Sequence, residues 1–202
     1  MLATAAQEPM ETLTRQIVYA KNAVHQQFLN SFEGKLKGRS NLAFLVVIEF
    51  IGGAEVRKDI ESALRNPVYQ PDEWYSARDA MVMFDRAIRA GVPAERLGHS
   101  VMPSYRRTFP DRFRGKTTMH DAFELLEQAY HAHTTYSDAS PGPVIESTRA
   151  LIYRKGSPLP CDYFVGVIDG LLRIFSVKAT IRETACQWNG APACCYEARW
   201  SV

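Results

Sequence analysis

The sequence predicts an α+β fold, in which an antiparallel sheet has helices packed on it, preceded by an N-terminal helical part and closed by a helix plus a β-hairpin. From Pro160 to Phe175, apolar residues recur at intervals of three and four, which is typical of a helix with one buried face. Apolar and polar residues then alternate over Val177–Gln187, which indicates a strand. Asn189-Gly190 marks a turn, so Cys194–Val202 is expected to return as the second strand.

The first third of the chain is predicted to be mainly helical. Residues 1–11 are expected to form a flexible leader, and residues 12–202 a single domain of ordinary length. Thr12 could cap a helix that ends at Gly34, because apolar residues recur on one stripe up to Phe32. The expected elements that follow are a basic loop over Gly34–Ser40, a strand or short buried helix over Asn41–Ile51, and a helix over Ala54–Arg65.

The middle third is predicted to contain further helices and one strand. Acidic residues after Pro71 and a glycine at position 91 favour a helix between them. Thr118 and Asp121 have the spacing of a capping box, which predicts a helix start. The other expected elements are a short helix over Pro93–Met102, a turn-rich connection over Tyr136–Pro143 and a strand over Val144–Arg154.

Composition excludes several classes of protein. The net charge is +2, from 24 basic and 22 acidic residues, which is too balanced to indicate a nucleic-acid or membrane-binding protein. Basic residues do alternate with aromatic ones over Ser104–Lys116, a pattern compatible with nucleic acid, but a structural or partner-facing loop is the better interpretation. No signal peptide is recognisable, and the apolar run Leu42–Ile51 is too short to span a bilayer. A cytoplasmic protein that does not enter the membrane is therefore expected.

All four cysteines lie in the last 42 residues. They occur in the pattern Cys161-x4-Gly-x3-Gly, followed by Glu183-x2-Cys186-x3-Gly-x3-Cys194 and an adjacent Cys195. Three thiolates and one carboxylate can complete a four-coordinate zinc site. Two other interpretations remain open at this point: a cross-strand disulfide between Cys186 and Cys194, or small buried hydrophobic side chains. A reducing compartment favours metal or free thiols over the disulfide.

The same pattern resembles the 4-vinyl-reductase-type small-molecule-binding domain, the sensor module of phenol- and toluene-responsive transcription activators. The resemblance covers roughly residues 143–202 and implies that Cys161, Glu183, Cys186 and Cys194 bind a structural zinc, with Cys195 free. Upstream, the stretch from Tyr69 to His99 resembles uncharacterised myxobacterial proteins related to haem nitric-oxide-binding domains. Together with transport-particle subunits, these families share one α/β architecture.

The resemblance implies a sensor or regulatory domain, not an enzyme. Four protein ligands would leave the zinc no open position for substrate, and no phosphate-loop, nucleophile-elbow or His-Glu-x-x-His motif is present. A Cys–His nucleophilic pair involving Cys195 stays an alternative. The expected ligand is a hydrophobic small molecule, and a homodimer or a protein partner is expected to carry the signal onward. Four apolar-face residues are the candidates for ligand binding: Phe123, Tyr130, Phe164 and Ile168.

Two further expectations concern the ligand. Phenol sensors have a tryptophan ahead of a Ser-x-x-Ala stretch, where this chain has Val144 before Ser147–Ala150, so a ligand other than phenol is implied. A haem-binding gas sensor is one alternative, with an axial ligand among His99, His120, His131 and His133. The Tyr-x-Ser-x-Arg signature of the haem-binding relatives is not met, because Tyr136-Ser-Asp-Ala-Ser140 runs into a proline without the arginine. The other alternative is a ligand-free interaction scaffold.

Overall fold

The computed structural model describes residues 16–64 and 67–201, and the predicted leader over residues 1–11 lies outside them. The fold class is confirmed, because helices pack on a sheet whose strands all pair antiparallel. The helices are α1 (Ala23–Ser31), α2 (Gly38–Gly52), α3 (Ala54–Ala63), α4 (Ala77–Arg89), α5 (Ala94–Thr108), α6 (Met119–His133) and α7 (Cys161–Ile174). The strands are β1 (Lys35–Lys37), β2 (Trp74–Ser76), β3 (Val144–Ile145), β4 (Arg149–Arg154), β5 (Ala179–Ala185) and β6 (Cys194–Trp200).

The main sheet has the strand order β3-β4-β6-β5, and β1 pairs with β2 separately. Because side chains alternate along a strand, Ala150, Ile152 and Tyr196 lie buried on one face of the main sheet, where α7 packs. Glu197 belongs to the opposite face and lies between Leu151 and Arg182 in register. A bulge between Glu183 and Ala185 shifts the register of β5 just before Cys186.

Helices α5 and α7 pack backbone to backbone. A Cβ atom added to Gly98 would collide with the carbonyl oxygen of Tyr163, and one added to Gly166 would collide with that of Glu95. Gly170 meets the carbonyl oxygen of His99 in the same way. Gly166 and Gly170 therefore form a stripe without side chains along α7, and α5 packs directly on it.

Two helices begin later than the sequence indicates. The helix expected from Thr12 to Phe32 is confined, in the described part, to α1, because Asn22 is extended and its side chain caps the amide of His25. The helix expected after Pro71 starts only at Ala77, with Ser76 as its N-cap. Just before Ala77, residues Trp74–Ser76 form β2, which pairs with β1. Because β1 covers Lys35–Lys37 and α2 starts at Gly38, a strand and a helix start replace the loop expected over Gly34–Ser40.

The loop expected over Ser104–Lys116 is wrong for its first part, because α5 continues to Thr108 and a 3-10 turn follows over Pro110–Phe113. Elsewhere the element types agree with the pattern, with shifted ends. The capping box of Thr118 and Asp121 is present at the start of α6. The ambiguous run Asn41–Ile51 is helical, and the strand expected over Val144–Arg154 is interrupted into β3 and β4. Within the described residues, no helix combines the length and apolar character that crossing a membrane requires.

Candidate metal centre and ligand cavity

Three cysteines and a glutamate from distant parts of the C-terminal segment come together. The Sγ atom of Cys161 lies 4.0 Å from that of Cys186 and 3.9 Å from that of Cys194, and the last two are 4.0 Å apart. Together with a carboxylate oxygen of Glu183, all four ligand atoms lie within 4.8 Å of one another. These are the four residues that the sequence pattern nominates.

The spacing of the sulfurs matches a tetrahedral zinc site. Thiolates at about 2.3 Å from a central ion are separated from each other by about 3.8 Å along the edges of a tetrahedron. A disulfide requires about 2.05 Å between sulfurs, and all four cysteines of the chain are free. The geometry therefore fits a cation and not a bridge.

Secondary structure explains why the four side chains meet. Cys161 is the first residue of α7, Cys186 follows β5 directly, and Cys194 opens β6. A short turn between β5 and β6 carries Trp188, which brings the last two cysteines to the mouth of one hairpin. The bulge after Glu183 places its carboxylate beside them.

The charges around the cluster favour a bound cation. The hydrogen bond that the Cys161 thiol shares with Cys194, followed by burial and the nearby Glu183, raises the pKa of Cys161 well above its usual range. Burial and the neighbouring Cys161 raise the pKa of Cys186. Burial works to raise the pKa of Glu183 too, but its hydrogen bond with Lys21 lowers it overall. A metal ion relieves this crowding, because it replaces the thiol protons with one central charge.

Lys21 and its neighbours connect the N-terminal segment to this cluster. Its Nζ donates to Glu183 Oε2 at 2.7 Å and lies 3.5 Å from Cys186 Sγ. Asn22 donates to the carbonyl of Trp188, and the ring of His25 stacks on that of Trp188 with centroids 4.1 Å apart. No pattern in the sequence signals these contacts, since more than 160 residues separate Lys21 from Glu183.

Cys195 is outside the cluster. It is buried but points to the other face of β6, where it lies opposite Tyr153 in the register. Its position agrees with the expectation that it is not a ligand.

A second candidate site is an apolar cavity of about 140 Å³ among α2, α5, α6 and α7. Tyr130 and Phe164, two of the four candidate ligand-binding residues, line it. Phe123 and Ile168 do not; they are fully buried in the surrounding core. Sequence reasoning missed most of the wall, because α2 and α5 supply it from far upstream: Arg39, Ser40, Ala43, Phe44, Val101, Met102, Ser104, Tyr105 and Thr108.

One histidine lines the cavity. His133 at the end of α6 lies 3.0 Å from Ser40 Oγ through its Nδ1 and packs edge-on against Tyr105. Burial, helped by the charges of Arg39 and Arg112, lowers its pKa to about 4, so the ring is neutral at physiological pH. The other candidates lie elsewhere: His99 pairs with Asp169, His131 pairs with Asp138, and His120 is exposed.

The structure also shows where the basic and aromatic run and the valine at the tryptophan position lie. In the basic and aromatic run Ser104–Lys116, Tyr105 and Phe109 contribute to the cavity wall, while Arg106 and Arg107 are exposed. Val144, which stands at the tryptophan position of the phenol sensors, is 48% exposed and does not line the cavity.

This arrangement of helices and a four-stranded antiparallel sheet has counterparts among solved structures. The chain is similar to a single-residue variant of Tt H-NOX, at 16% identity and a TM-score of 0.64, over 83% of this chain and 96% of that one. It is also similar to an oxygen-binding H-NOX domain related to soluble guanylate cyclases, at 16% identity and a TM-score of 0.63 over the same shares. A mutant H-NOX from T. Tengcongensis matches at 14% identity and a TM-score of 0.59, over 83% of this chain and 98% of that one.

At these identities the likeness establishes the fold, which is that of H-NOX domains. No family model matches the chain. No curated protein matches it either. The resemblance to haem nitric-oxide-binding domains is thus supported at the level of fold, whereas the 4-vinyl-reductase assignment is not shown.

Proposed function

We propose that the chain is a small-molecule sensor domain built on the H-NOX fold. The observation that carries this proposal is the cavity among α2, α5, α6 and α7, whose walls are mostly apolar and which the protein's own side chains do not fill. Concave, mainly apolar sites with a few polar groups are the usual form of ligand sites. A homodimer or a protein partner would transmit the signal that ligand binding produces.

A thermal-shift titration tests whether the cavity binds ligands. Toluene at 100 times its dissociation constant would stabilise the fold by about 2.7 kcal/mol, which is on the order of 5–10 °C in melting temperature for a domain of this size. Ala129→Phe, which fills the cavity, should abolish the shift, whereas Ala132→Phe on the exposed side of the same helix should retain it. No shift with any small molecule would favour the scaffold alternative.

A haem-binding gas sensor is the second candidate, and the likeness to H-NOX domains favours it. His133 is the cavity histidine, and a neutral imidazole is the form that binds haem iron. The cavity itself does not fit the group: its volume of about 140 Å³ is below the roughly 300–1,000 Å³ of sites for drug-sized ligands. The ring of His133 also already contacts Ser40.

Haemin titration followed by visible absorption separates the two candidates. The small-ligand proposal expects no sharp Soret band at one equivalent. A band that is lost in His133→Ala and kept in His131→Ala would establish the haem sensor instead. The exposed His131 is a matched control, because it lies in the same helix turn but outside the cavity.

We further propose that Cys161, Glu183, Cys186 and Cys194 hold a structural zinc. The sulfur spacing and the buried, crowded thiols support this assignment. Elemental analysis should find about one zinc per chain, and Cys186→Ser should lose it because one of four ligands is replaced. Cys195→Ser should retain the metal; equal zinc loss in both variants would contradict the assignment.

A further inference from the structure

The inner wall of the cavity contains a buried guanidinium. Arg154 is 1% exposed, and its Nη2 lies 2.9 Å from Glu127 Oε1. Its Nη1 donates to the carbonyl of Tyr153 at 2.7 Å, and the guanidinium stacks over the ring of Tyr130 at 4.3 Å. A buried arginine held on two sides in this way has a fixed orientation.

Two donors at this position have no acceptor. Within the described residues, neither the Nε of Arg154 nor the hydroxyl of Tyr130 makes a hydrogen bond, although both atoms are buried. Burial raises the pKa of Tyr130 to about 12, against the opposing effects of the Arg154 charge and of the Ser157 hydroxyl, so the phenol keeps its proton. Ser157 and Ser140 both lie near that phenol, but neither hydroxyl reaches hydrogen-bonding geometry with it. An unsatisfied buried donor destabilises the folded protein, and a bound acceptor atom would remove that cost.

The charges of the cavity are already balanced. Glu127 neutralises Arg154, and Arg39, the other cation in the lining, pairs with Asp72. An anionic ligand would therefore bring an uncompensated charge into a buried site, which is strongly unfavourable. A neutral acceptor, such as a carbonyl oxygen, satisfies the free donors without that cost.

The volume limits the apolar part of the ligand. A dry cavity of about 150 Å³ accommodates benzene, and this cavity measures about 140 Å³. We propose that the cavity binds a neutral, monocyclic, benzene-sized compound whose carbonyl oxygen accepts hydrogen bonds from Arg154 Nε and Tyr130 Oη. This inference rests on the proposed sensor function, and it specifies the chemical class of the ligand.

Three isosteric probes test the inference by calorimetric titration of the whole chain: acetophenone, α-methylstyrene and benzoate. Acetophenone should bind about fivefold to 150-fold more tightly than α-methylstyrene, because only acetophenone can accept the two hydrogen bonds. Benzoate should bind more weakly than acetophenone. Equal binding of acetophenone and α-methylstyrene, or tighter binding of benzoate, overturns the inference but keeps the sensor proposal. No binding of any probe overturns both.

Tyr130→Phe provides the residue-level test. The variant should weaken acetophenone binding about threefold to tenfold and leave α-methylstyrene binding unchanged. Tyr136→Phe is the matched control, because its buried hydroxyl also lacks a partner among the described residues but its side chain does not line the cavity. An unchanged affinity for acetophenone in Tyr130→Phe would remove the tyrosine from the site and overturn the paired-donor arrangement.

Discussion

Glu197 shows how a single residue can organise the outer face of the sheet. Its carboxylate accepts from Arg149 at 2.7 Å, from Arg182 at 2.8 Å and from Arg199 at 2.8 Å, and its side chain is only 4% exposed. Arg199, then Arg182 and Arg149, lower the pKa of Glu197 to about 2. Three strands, β4, β5 and β6, are thereby joined through one carboxylate.

Replacing this carboxylate should produce a pH-dependent loss of stability. Because the folded-state pKa of Glu197 lies below the unfolded value of about 4.3, its contribution is present above that pH and disappears as the pH falls towards 2. In urea unfolding, Glu197→Gln should be less stable than the wild type at pH 7, and the difference should shrink between about pH 4.3 and 2. Glu146→Gln, an exposed partner of Arg149, should have a much smaller effect. A stability difference between Glu197→Gln and the wild type that does not change with pH would contradict this account.

Sequence reasoning at the residue scale succeeded where the interacting residues are close in the chain. The four cluster residues lie within 34 positions of each other, and their spacing was sufficient to nominate them. Lys21 and the upstream cavity residues depend on tertiary packing, for which spacing carries no information. The buried position of Arg154 could have been predicted, because alternation along its strand places it on the same face as Ala150 and Ile152.

At the scale of elements, the contact between α5 and α7 is the most restrictive. The backbones touch at Gly98, Gly166 and Gly170, so a side chain at these positions has no space. The sequence shows that the two glycines of α7 lie four residues apart, but nothing in it identifies α5 as the partner. The sequence also did not predict where α1 and α4 start. Asn22 and Ser76 cap these helices, but the helix-like apolar spacing continues before each cap.

Adding one methyl group should test this contact. Gly166→Ala should reduce the free energy of unfolding by at least about 1–3 kcal/mol, because the new Cβ would meet backbone atoms of α5 that cannot rotate away. Gly142→Ala is the control, since nothing lies within 4 Å of its added Cβ. Chemical denaturation of both variants measures the difference. Equal stabilities would show that the helices can separate without cost.

On the scale of the whole molecule, the cluster of Cys161, Glu183, Cys186 and Cys194 connects the two ends of the described chain. Asn22 and His25 contact Trp188 on the hairpin that carries two of the cysteines. Lys21 contacts the cluster itself. Without a bound ion, the three thiolates and the Glu183 carboxylate would repel one another or take up protons. Either change would weaken the hairpin that the N-terminal segment contacts.

Chelation should therefore loosen two distant segments together. Hydrogen exchange after zinc removal should increase in residues 20–31 as well as in residues 186–194, and the melting temperature should fall. Helix α3 packs against α2 and α4, away from the cluster, and should keep its protection. Faster exchange in the hairpin alone would show that the N-terminal segment is held independently of the metal.

The direct backbone contact of α5 with α7 also limits how the domain can respond to an occupant. These two walls of the cavity already touch backbone to backbone at three glycines, so neither helix can move closer to the other. We therefore expect expansion on ligand entry to displace the other two walls, α2 and α6. Because Val46 and Phe50 are exposed on α2, a displacement there would reach the protein's exterior directly.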